Sequence, residues 1–363
     1  MQQTVLWTTD LPMYEVKTSV HVRIRDTVTT CQEAAQIMQA GGLVAFATET
    51  VYGLGASVLH EEALKKVFLV KGRPQDNPLI THVSQIDQVI QLASEVSDLA
   101  RALMNRFWPG PLSILFPVRD DVSRIVTAGL DHVAIRMPNH PQALALIDAL
   151  GAPIAAPSAN QSGKPSPTLA HHVLDDLADK IDGVIDGGAC DVGIESTVIE
   201  LQGDHIIILR PGRISAEDLR EFGAEVSLDP FLEHHEIPSK PRAPGQKYRH
   251  YAPQGQLTIY LGDDSQKIEE RIAKEAQALA QQGFKVGALV MNSDFTPNVD
   301  ALFYLGSLAS FTELEKNLYV ALRSCDDRHI DRILAQGTPE VGRYRAFMNR
   351  LYKAAGGNVI TVS

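Results

Sequence analysis

Short apolar runs alternate with stretches of helical periodicity over most of the chain. Runs at residues 43–47, 112–117 and 206–209 predict buried strands, because their length and apolar content fit the interior of a sheet. Residues 61–70 place apolar side chains at helical spacing, and Gly72 is suited to end that helix in a left-handed conformation. Strands and helices that alternate in this way predict an α/β fold.

A second series of strands and helices begins at residue 256. It predicts a smaller parallel-sheet domain, with strands at 257–261, 286–291, 302–305 and 330–334 and helices at 265–282, 311–325 and 341–355. The irregular, proline-containing stretch before it predicts a semi-rigid linker. We therefore predict an N-terminal extension at 1–26, a first α/β domain at 27–213, a linker at 214–253 and a C-terminal α/β domain at 254–363.

Composition places the chain among folded globular proteins. Of its 363 residues, 44% are hydrophobic and 21% are charged. The net charge of −11 argues against non-specific coating of nucleic acid but leaves room for a local basic site. Three scattered cysteines give neither a disulfide framework nor a metal-ligand spacing. Since the sequence has no apolar run of membrane-spanning length and no signal-peptide pattern, we expect a cytosolic protein.

The loop at 71–80 carries two neighbouring cations on a stiff backbone. Lys71 and Arg73 flank Gly72, and two prolines restrict the path that follows. An arginine fork beside a lysine point charge is a usual pair for phosphate or carboxylate oxygens. The alternative is an ordinary surface loop with two solvated cations, and the loop alone does not decide between the two.

Other predicted strands also end in polar residues. TETVYGLG at 48–55 supplies hydroxyl groups and glycines that would let the backbone approach a substrate, and the Ser- and Asn-rich loop at 156–168 could present hydroxyl and N–H groups to phosphate. Thr168 is suited to cap the next helix. His82 and Arg136 lie on strands, where each could be either functional or structural. Together these strand ends predict one polar cleft.

The linker is basic and carries tyrosines near its end. Residues 239–253 contain several cations in an otherwise acidic chain, which a plain spacer would not need. We therefore expect this segment to fold as a lid over an anionic ligand. The sequence contains neither a complete dinucleotide fingerprint nor a Walker-type phosphate loop, so a bound nucleotide would require another design.

Seven short motifs occur in the order seen in the YrdC-like family, and the chain resembles that family over residues 27–363. The motifs are TETVYGLG (48–55), KGRP (71–74), NPLI (77–80), APSAN (156–160), SGKPS (162–166), ESTV (195–198) and RPG (210–212). PGQKYRHYAP (244–253) followed by an α/β domain is similar to the two-domain form of the family, the L-threonylcarbamoyladenylate synthases. The resemblance implies a twisted-sheet catalytic domain and a smaller Rossmann-like α/β domain.

The resemblance also implies a reaction. Members of this family make L-threonylcarbamoyl-AMP from L-threonine, bicarbonate and ATP and release pyrophosphate, with Mg²⁺ on the phosphates and no metal ligand from the protein. The product serves the threonylcarbamoyladenosine modification of tRNA beside the anticodon, through a downstream tRNA threonylcarbamoyl transferase. Direct contact with tRNA is left open.

The family's binding residues carry over to this sequence motif by motif. The implied threonine site comprises Thr50, His82, Arg136, Ala156 and Ser196. The implied ATP site comprises Lys71, Arg73, Asn77, His132, Ser158, Asn160, Ser166, Arg210 and Tyr251.

Two other classes of function compete with this interpretation. A cationic cleft could bind RNA or a free nucleotide without chemistry, although the acidic net charge and the lack of aromatic stacking motifs count against RNA. A carbamoyl-transfer domain of the hydrogenase-maturation type should follow an acylphosphatase-like region and cysteine-rich zinc motifs. The short N-terminal part and the three cysteines do not fit that class.

Overall fold

The structure, a computed structural model, describes residues 3–233, 241–247 and 250–363. Parts of the predicted linker, residues 234–240 and 248–249, therefore lie outside the described residues. The chain divides into two compact units. The first comprises Met1–Ser162, Ser166–Asp191 and Glu195–Tyr248, and the second comprises Gly163–Pro165, Val192–Ile194 and Arg249–Ser363.

The first unit is built on a mixed sheet of twelve strands. These are β1 (Thr4–Thr8), β2 (Val20–Ile24), β3 (Val44–Phe46), β4 (Gly53–Ser57), β5 (Ile80–His82), β6 (Leu112–Pro117), β7 (His132–Arg136), β8 (Ile154–Ala155), β9 (Gly183–Ile185), β10 (Thr197–Gln202), β11 (His205–Arg210) and β12 (Glu225–Leu228). Their order in the sheet is β12-β11-β10-β6-β7-β5-β8-β4-β3-β9-β1-β2. β5 and β7, which carry His82 and Arg136, are neighbours in the middle of the sheet, and β11, which ends at Arg210, lies three strands from β7.

Helices connect these strands. They are α1 (Thr27–Gln39), α2 (Glu61–Lys71), α3 (Asp98–Phe107), α4 (Arg124–Thr127), α5 (Pro141–Leu150), α6 (Ala170–Leu177), α7 (Ala216–Arg220) and α8 (Pro230–Glu233), with a 3₁₀ helix at Ile86–Gln91. Gly72 ends α2 at a φ of 62°, as its position in the sequence predicted.

The prediction that Thr168 caps α6 is wrong. The helix begins at Ala170, with Leu169 in the cap position. The backbone N–H of Thr168 instead donates to Nδ1 of His172, one helical turn further on, at 3.3 Å. A histidine side chain inside the helix thus reaches back to a backbone N–H that precedes it, and the threonine hydroxyl is not used for capping.

The N-terminal segment contributes two strands to the main sheet. β1 lies between β9 and β2, with all three strands parallel. Trp7 on β1 is fully buried, and its indole N–H donates to a carboxylate oxygen of Glu33 at 2.8 Å. A Cβ atom at Gly183 would lie 2.2 Å from the ring of Trp7, so the glycine provides the space that the indole fills. The predicted extension is therefore part of the sheet rather than an appendage to it.

The second unit contains an all-parallel sheet. Its strands are β13 (Gln256–Leu261), β14 (Val286–Val290), β15 (Ala301–Tyr304), β16 (Arg332–Gln336) and β17 (Val359–Thr361), in the order β15-β14-β16-β13-β17. Three helices accompany it: α9 (Ser265–Gln281), α10 (Phe311–Asp327) and α11 (Tyr344–Ala355). The sequence predicted each of these elements except β17. Over the residues that the structure describes, no helix combines the length and apolarity needed to cross a membrane.

Replacing Trp7 by alanine should destabilise the first unit. We expect Trp7→Ala to lower the free energy of unfolding by about 3–5 kcal/mol, because it removes a buried indole and leaves a cavity beside Gly183. Urea denaturation followed by circular dichroism would measure the change. Met13→Ala, at a fully exposed apolar residue of the same segment, is the control and should change little. Equal stability of the two variants would show that β1 is dispensable.

Candidate active site

Arg136 is the centre of the predicted threonine cluster. It ends β7 and is 3% exposed. Its Nε donates to the carbonyl of Gly110 at 3.1 Å, and its Nη1 donates to the hydroxyl of Thr50 at 2.9 Å. Nη2 lies 2.6 Å from Oε1 of Glu49, an ion pair whose angles do not suit a hydrogen bond. Contacts from two other segments thus fix the guanidinium.

A short turn after β3 holds Glu49 and Thr50 in place. The hydroxyl oxygen of Thr48 accepts from the backbone N–H groups of Thr50 and Val51 at 3.2 and 3.3 Å. The same hydroxyl donates to the carbonyl of Val51 at 2.7 Å and lies 2.9 Å from the hydroxyl of Thr50. Such a side chain that bonds to its own turn orients the next two residues.

The glycines of the same motif lie where neighbouring strands pack closely. We expected them to admit a substrate, but a Cβ atom at Gly53 would lie 3.2 Å from Cβ of Ala156, and one at Gly55 would lie 2.8 Å from Ile154. Both glycines lie in β4, which pairs with β8. They therefore allow two strands to pack closely, and their role in admitting a substrate stays a prediction.

His82 lies beside Arg136 on the neighbouring strand. The register of β5 and β7 pairs these two residues directly, and the carbonyl of Ile80 on β5 accepts from the N–H of Ala156 at 2.9 Å. Burial and the nearby charge of Arg136 lower the pKa of His82 from 6.5 to about 3, so the imidazole is neutral at pH 7. Its Nδ1 has no hydrogen-bond partner among the described residues and can bind a ligand hydroxyl or N–H group.

Ser196 and Arg210 form a second cluster next to the first. The hydroxyl of Ser196 accepts from Nη2 of Arg210 at 3.0 Å and shares a hydrogen bond of 2.8 Å with Ser113. Nε of Arg210 donates to the carbonyl of Ser196 at 3.1 Å. Because Ile114 pairs with Ile135 in antiparallel strands, the register places Ser113 opposite Arg136. Ser113 therefore connects the two clusters.

Lys71 and Arg73 are buried, so the alternative of an ordinary surface loop with two solvated cations is wrong. Nζ of Lys71, on a residue that is 2% exposed, donates to the carbonyls of Ser158, at 2.5 Å, and of Asn160. Arg73, 9% exposed, donates to the carbonyls of Asn77 and Pro78 at 3.2 and 2.8 Å. Lys71 therefore holds the loop at residues 158–160, and Arg73 holds the loop at residues 77–78. Both positive charges stay next to the polar side chains of those loops.

The serine- and asparagine-rich loop is internally bonded. The hydroxyl of Ser158 donates to Oδ1 of Asn160 at 2.5 Å, and the Asn160 amide donates to the carbonyl of Gln161 at 2.8 Å. Ser166 is fully buried and donates to Glu195 at 2.5 Å. Through Lys71, this loop is joined to the end of α2.

Asn77, His132 and Tyr251 complete the predicted ATP set. Asn77 is buried, and its side-chain oxygen has no hydrogen-bond partner among the residues described. His132 begins β7, so strand geometry places it about 13 Å from Arg136. Tyr251 belongs to the second unit, has a φ of 63° and stacks on Tyr319 with ring centroids 5.3 Å apart. Their roles in binding ATP stay predictions.

Two cations of the predicted linker bind protein carboxylates. In the first unit, Arg242 pairs with Glu200 and Asp229, and Lys247 lies 2.8 Å from Asp76. We expected the linker cations to face an anionic ligand, and for these two residues the structure shows an anchoring role instead. The segment 241–247 also contributes the carbonyl of Pro244, which accepts from Nη1 of Arg210 at 3.3 Å.

Sequence reasoning missed Glu49 and Ser113. Glu49 stood inside a motif whose hydroxyl groups and glycines were considered while its carboxylate was not. Ser113 is the one hydroxyl residue in the apolar run LSILFP at 112–117, and a polar residue in a buried strand is a signal in itself. In the described parts of the chain, His, Cys, Asp and Glu side chains form no group of three or more that could hold a metal ion.

Two family models match the chain. A model for the Sua5, YciO and YrdC proteins, described as telomere recombination, covers residues 36–212, and a model of the threonylcarbamoyl-AMP synthase C-terminal domain covers residues 214–356. The threonylcarbamoyl-AMP synthase of Pyrococcus abyssi is 45% identical over 346 residues, 94% of this chain and 99% of that protein. The Bacillus subtilis protein of the same name is 46% identical over 332 residues, 90% and 93% of the two chains.

A solved structure agrees with these matches. The crystal structure of P. abyssi Sua5 complexed with L-threonine matches this chain with a TM-score of 0.88 and 41% sequence identity, and the match covers 100% of both chains. The chain belongs to the threonylcarbamoyl-AMP synthase family. The predicted fold class, a YrdC-like sheet domain with a smaller Rossmann-like α/β domain, is confirmed.

The buried neutral His82 predicts a dependence of stability on pH. Between about pH 6.5 and the folded-state pKa of about 3, the unfolded chain binds a proton that the folded protein does not. The free energy of unfolding should therefore fall as pH decreases, by about 1 kcal/mol per pH unit from this group.

His82→Gln should remove that contribution. Urea denaturation at about pH 7 and about pH 5 would give a smaller loss of stability in the variant than in the wild type. His21→Gln, at an exposed histidine of β2, is the control. A loss of stability in His82→Gln as large as that of the wild type would contradict the prediction.

Proposed function

We propose that this protein makes L-threonylcarbamoyl-AMP from L-threonine, bicarbonate and ATP and releases pyrophosphate. Membership of the threonylcarbamoyl-AMP synthase family supports the proposal. The observation that carries it is the buried Arg136, which stands among Thr50, His82 and, through Ser113, Ser196. The related P. abyssi Sua5 has been solved in complex with L-threonine.

The threonine cluster suits a small amino acid. A buried guanidinium can bind the substrate carboxylate, because it is charged at every working pH and presents a fork of donors. The hydroxyls of Thr50 and Ser196, the neutral imidazole of His82 and the backbone at Ala156 would orient the rest of the molecule. Orientation counts for much in a reaction that joins three molecules.

The second set of residues would bind ATP. Lys71, Arg73 and Arg210 supply positive charge near a carboxylate that must approach a triphosphate. Asn77, Ser158, Asn160 and Ser166 add polar groups on the loops that these cations hold. Mg²⁺ would enter as the counterion of ATP, as part of the substrate.

The proposed reaction has two steps. The amine of threonine, freed of its extra proton, forms a C–N bond to CO₂ and releases one further proton to solvent, which gives an N-carboxylate; with bicarbonate as the carbon source, a water molecule leaves instead of the proton. An oxygen of that carboxylate then bonds to the α-phosphorus of ATP while the bond to pyrophosphate breaks.

A reaction that consumes ATP and serves tRNA modification through a downstream threonylcarbamoyl transferase would take place in the cytoplasm.

Release of pyrophosphate tests this proposal directly. The purified protein is given MgATP, L-threonine and bicarbonate, and each of the last two is omitted in turn. We expect release that needs both. Release without either would identify an ATP pyrophosphatase, and ATP binding without release would favour a nucleotide-binding module.

The charge of Lys71 should be required for turnover. Lys71→Met keeps most of the side-chain volume but removes the ammonium that holds the carbonyls of Ser158 and Asn160. We expect kcat/KM for ATP to fall by about 100-fold or more, because a fixed positive donor near the phosphates is lost. Lys65→Ala, at an exposed lysine on the same helix, is the matched control. Activity of Lys71→Met close to the wild type would place the ATP site elsewhere.

A further inference from the structure

Glu49 carries a buried carboxylate that is incompletely satisfied. It is 7% exposed, and Oε1 lies 2.6 Å from Nη2 of Arg136. Neither carboxylate oxygen accepts a hydrogen bond from any described residue. A carboxylate offers about four acceptor positions, and leaving them unused in the interior is unfavourable. A buried group of this kind requires an explanation.

Other buried carboxylates of the first unit are bonded. Glu195, equally buried, accepts from the hydroxyl of Ser166. Asp229 accepts from Arg242 and from the backbone N–H of Phe231. Glu200 also accepts from Arg242. A purely structural counterion for Arg136 would be expected to have such bonds, so Glu49 has acceptor capacity that the fold does not use.

The position of this spare capacity is informative. Arg136 contacts Glu49 through one terminal nitrogen and Thr50 through the other, so the carboxylate lies at the edge of the proposed threonine site. A free amino acid carries an ammonium and a carboxylate on the same carbon atom. When the guanidinium binds the substrate carboxylate, the adjacent ammonium falls within reach of a group that already neighbours that guanidinium.

We propose that Glu49 binds the α-ammonium group of L-threonine, and this inference rests on the proposed function. The guanidinium of Arg136 then faces the carboxylate of the substrate, and the carboxylate of Glu49 faces its ammonium group. The four charges alternate in sign, which suits a buried site because each charge has an opposite neighbour. Glu49 therefore selects ligands that carry an α-ammonium and positions the nitrogen that forms the new C–N bond once it has lost a proton.

The experiment compares two ligands that differ only in the ammonium. (3R)-3-Hydroxybutanoate is L-threonine without its α-ammonium group. Isothermal titration calorimetry of the wild type should give an affinity for L-threonine at least about 10-fold above that for the analogue. In Glu49→Gln, which preserves side-chain volume, the preference for L-threonine should disappear while the affinity for the analogue is retained.

Controls separate this role from a structural one. Glu33→Gln removes a carboxylate that pairs with Arg23 and Arg25 outside the site, and it should keep the full preference for L-threonine. If Glu49→Gln does not fold, Glu49→Asp keeps the charge on a shorter side chain and should show a reduced preference.

Three results would overturn the inference. Equal loss of affinity for both ligands in Glu49→Gln would make Glu49 a structural counterion only. Unchanged affinity of Glu49→Gln for L-threonine would show that this carboxylate does not bind the ammonium. Equal affinities of the wild type for the two ligands would exclude an ammonium site altogether. In each case the wild type can still bind L-threonine and release pyrophosphate, so the proposed function survives. Absence of L-threonine binding to the wild type would instead refute the proposed function itself.

Discussion

The burial of one guanidinium sets the structure of the first unit's site. Arg136 cannot lose its charge, and transferring that charge from water to a protein interior costs several kcal/mol unless partners replace the water. The partners are the carboxylate of Glu49, the hydroxyl of Thr50 and the carbonyl of Gly110. Because these groups come from two other segments, the charge requires that all three parts of the chain meet at the end of β7.

The same charge controls the neighbouring titratable group. His82 is buried one strand away from Arg136, and both burial and the positive charge favour its neutral form, which accounts for a pKa of about 3. A protonated histidine at this position would add a second buried cation without a second carboxylate beside it. The surroundings of β7's end therefore combine a fixed cation, Arg136, a carboxylate, Glu49, and a neutral imidazole, His82.

Patterns of local sequence predicted the elements better than they predicted the role of each polar residue. Apolar runs identified β6 and β11, and Gly72 marked the end of α2, because these features depend on neighbouring residues alone. The burial of Lys71 depends on two carbonyls nearly ninety positions further along the chain, a contact that no local pattern encodes. Strand β1 was missed for a related reason, since its buried Trp7 is accommodated by Gly183.

The net charge of the chain did not predict which of its cations are available to a ligand. The cations of the linker, unusual in an acidic chain, were expected to face an anionic ligand. In the structure, the acidic side chains Glu200, Asp229 and Asp76 bind Arg242 and Lys247 and so hold the segment 241–247 on the first unit. That segment brings the Pro244 carbonyl to Arg210. The excess of carboxylates thus stabilises the surroundings of a cationic site, so the availability of each cation has to be judged from its burial and its partners.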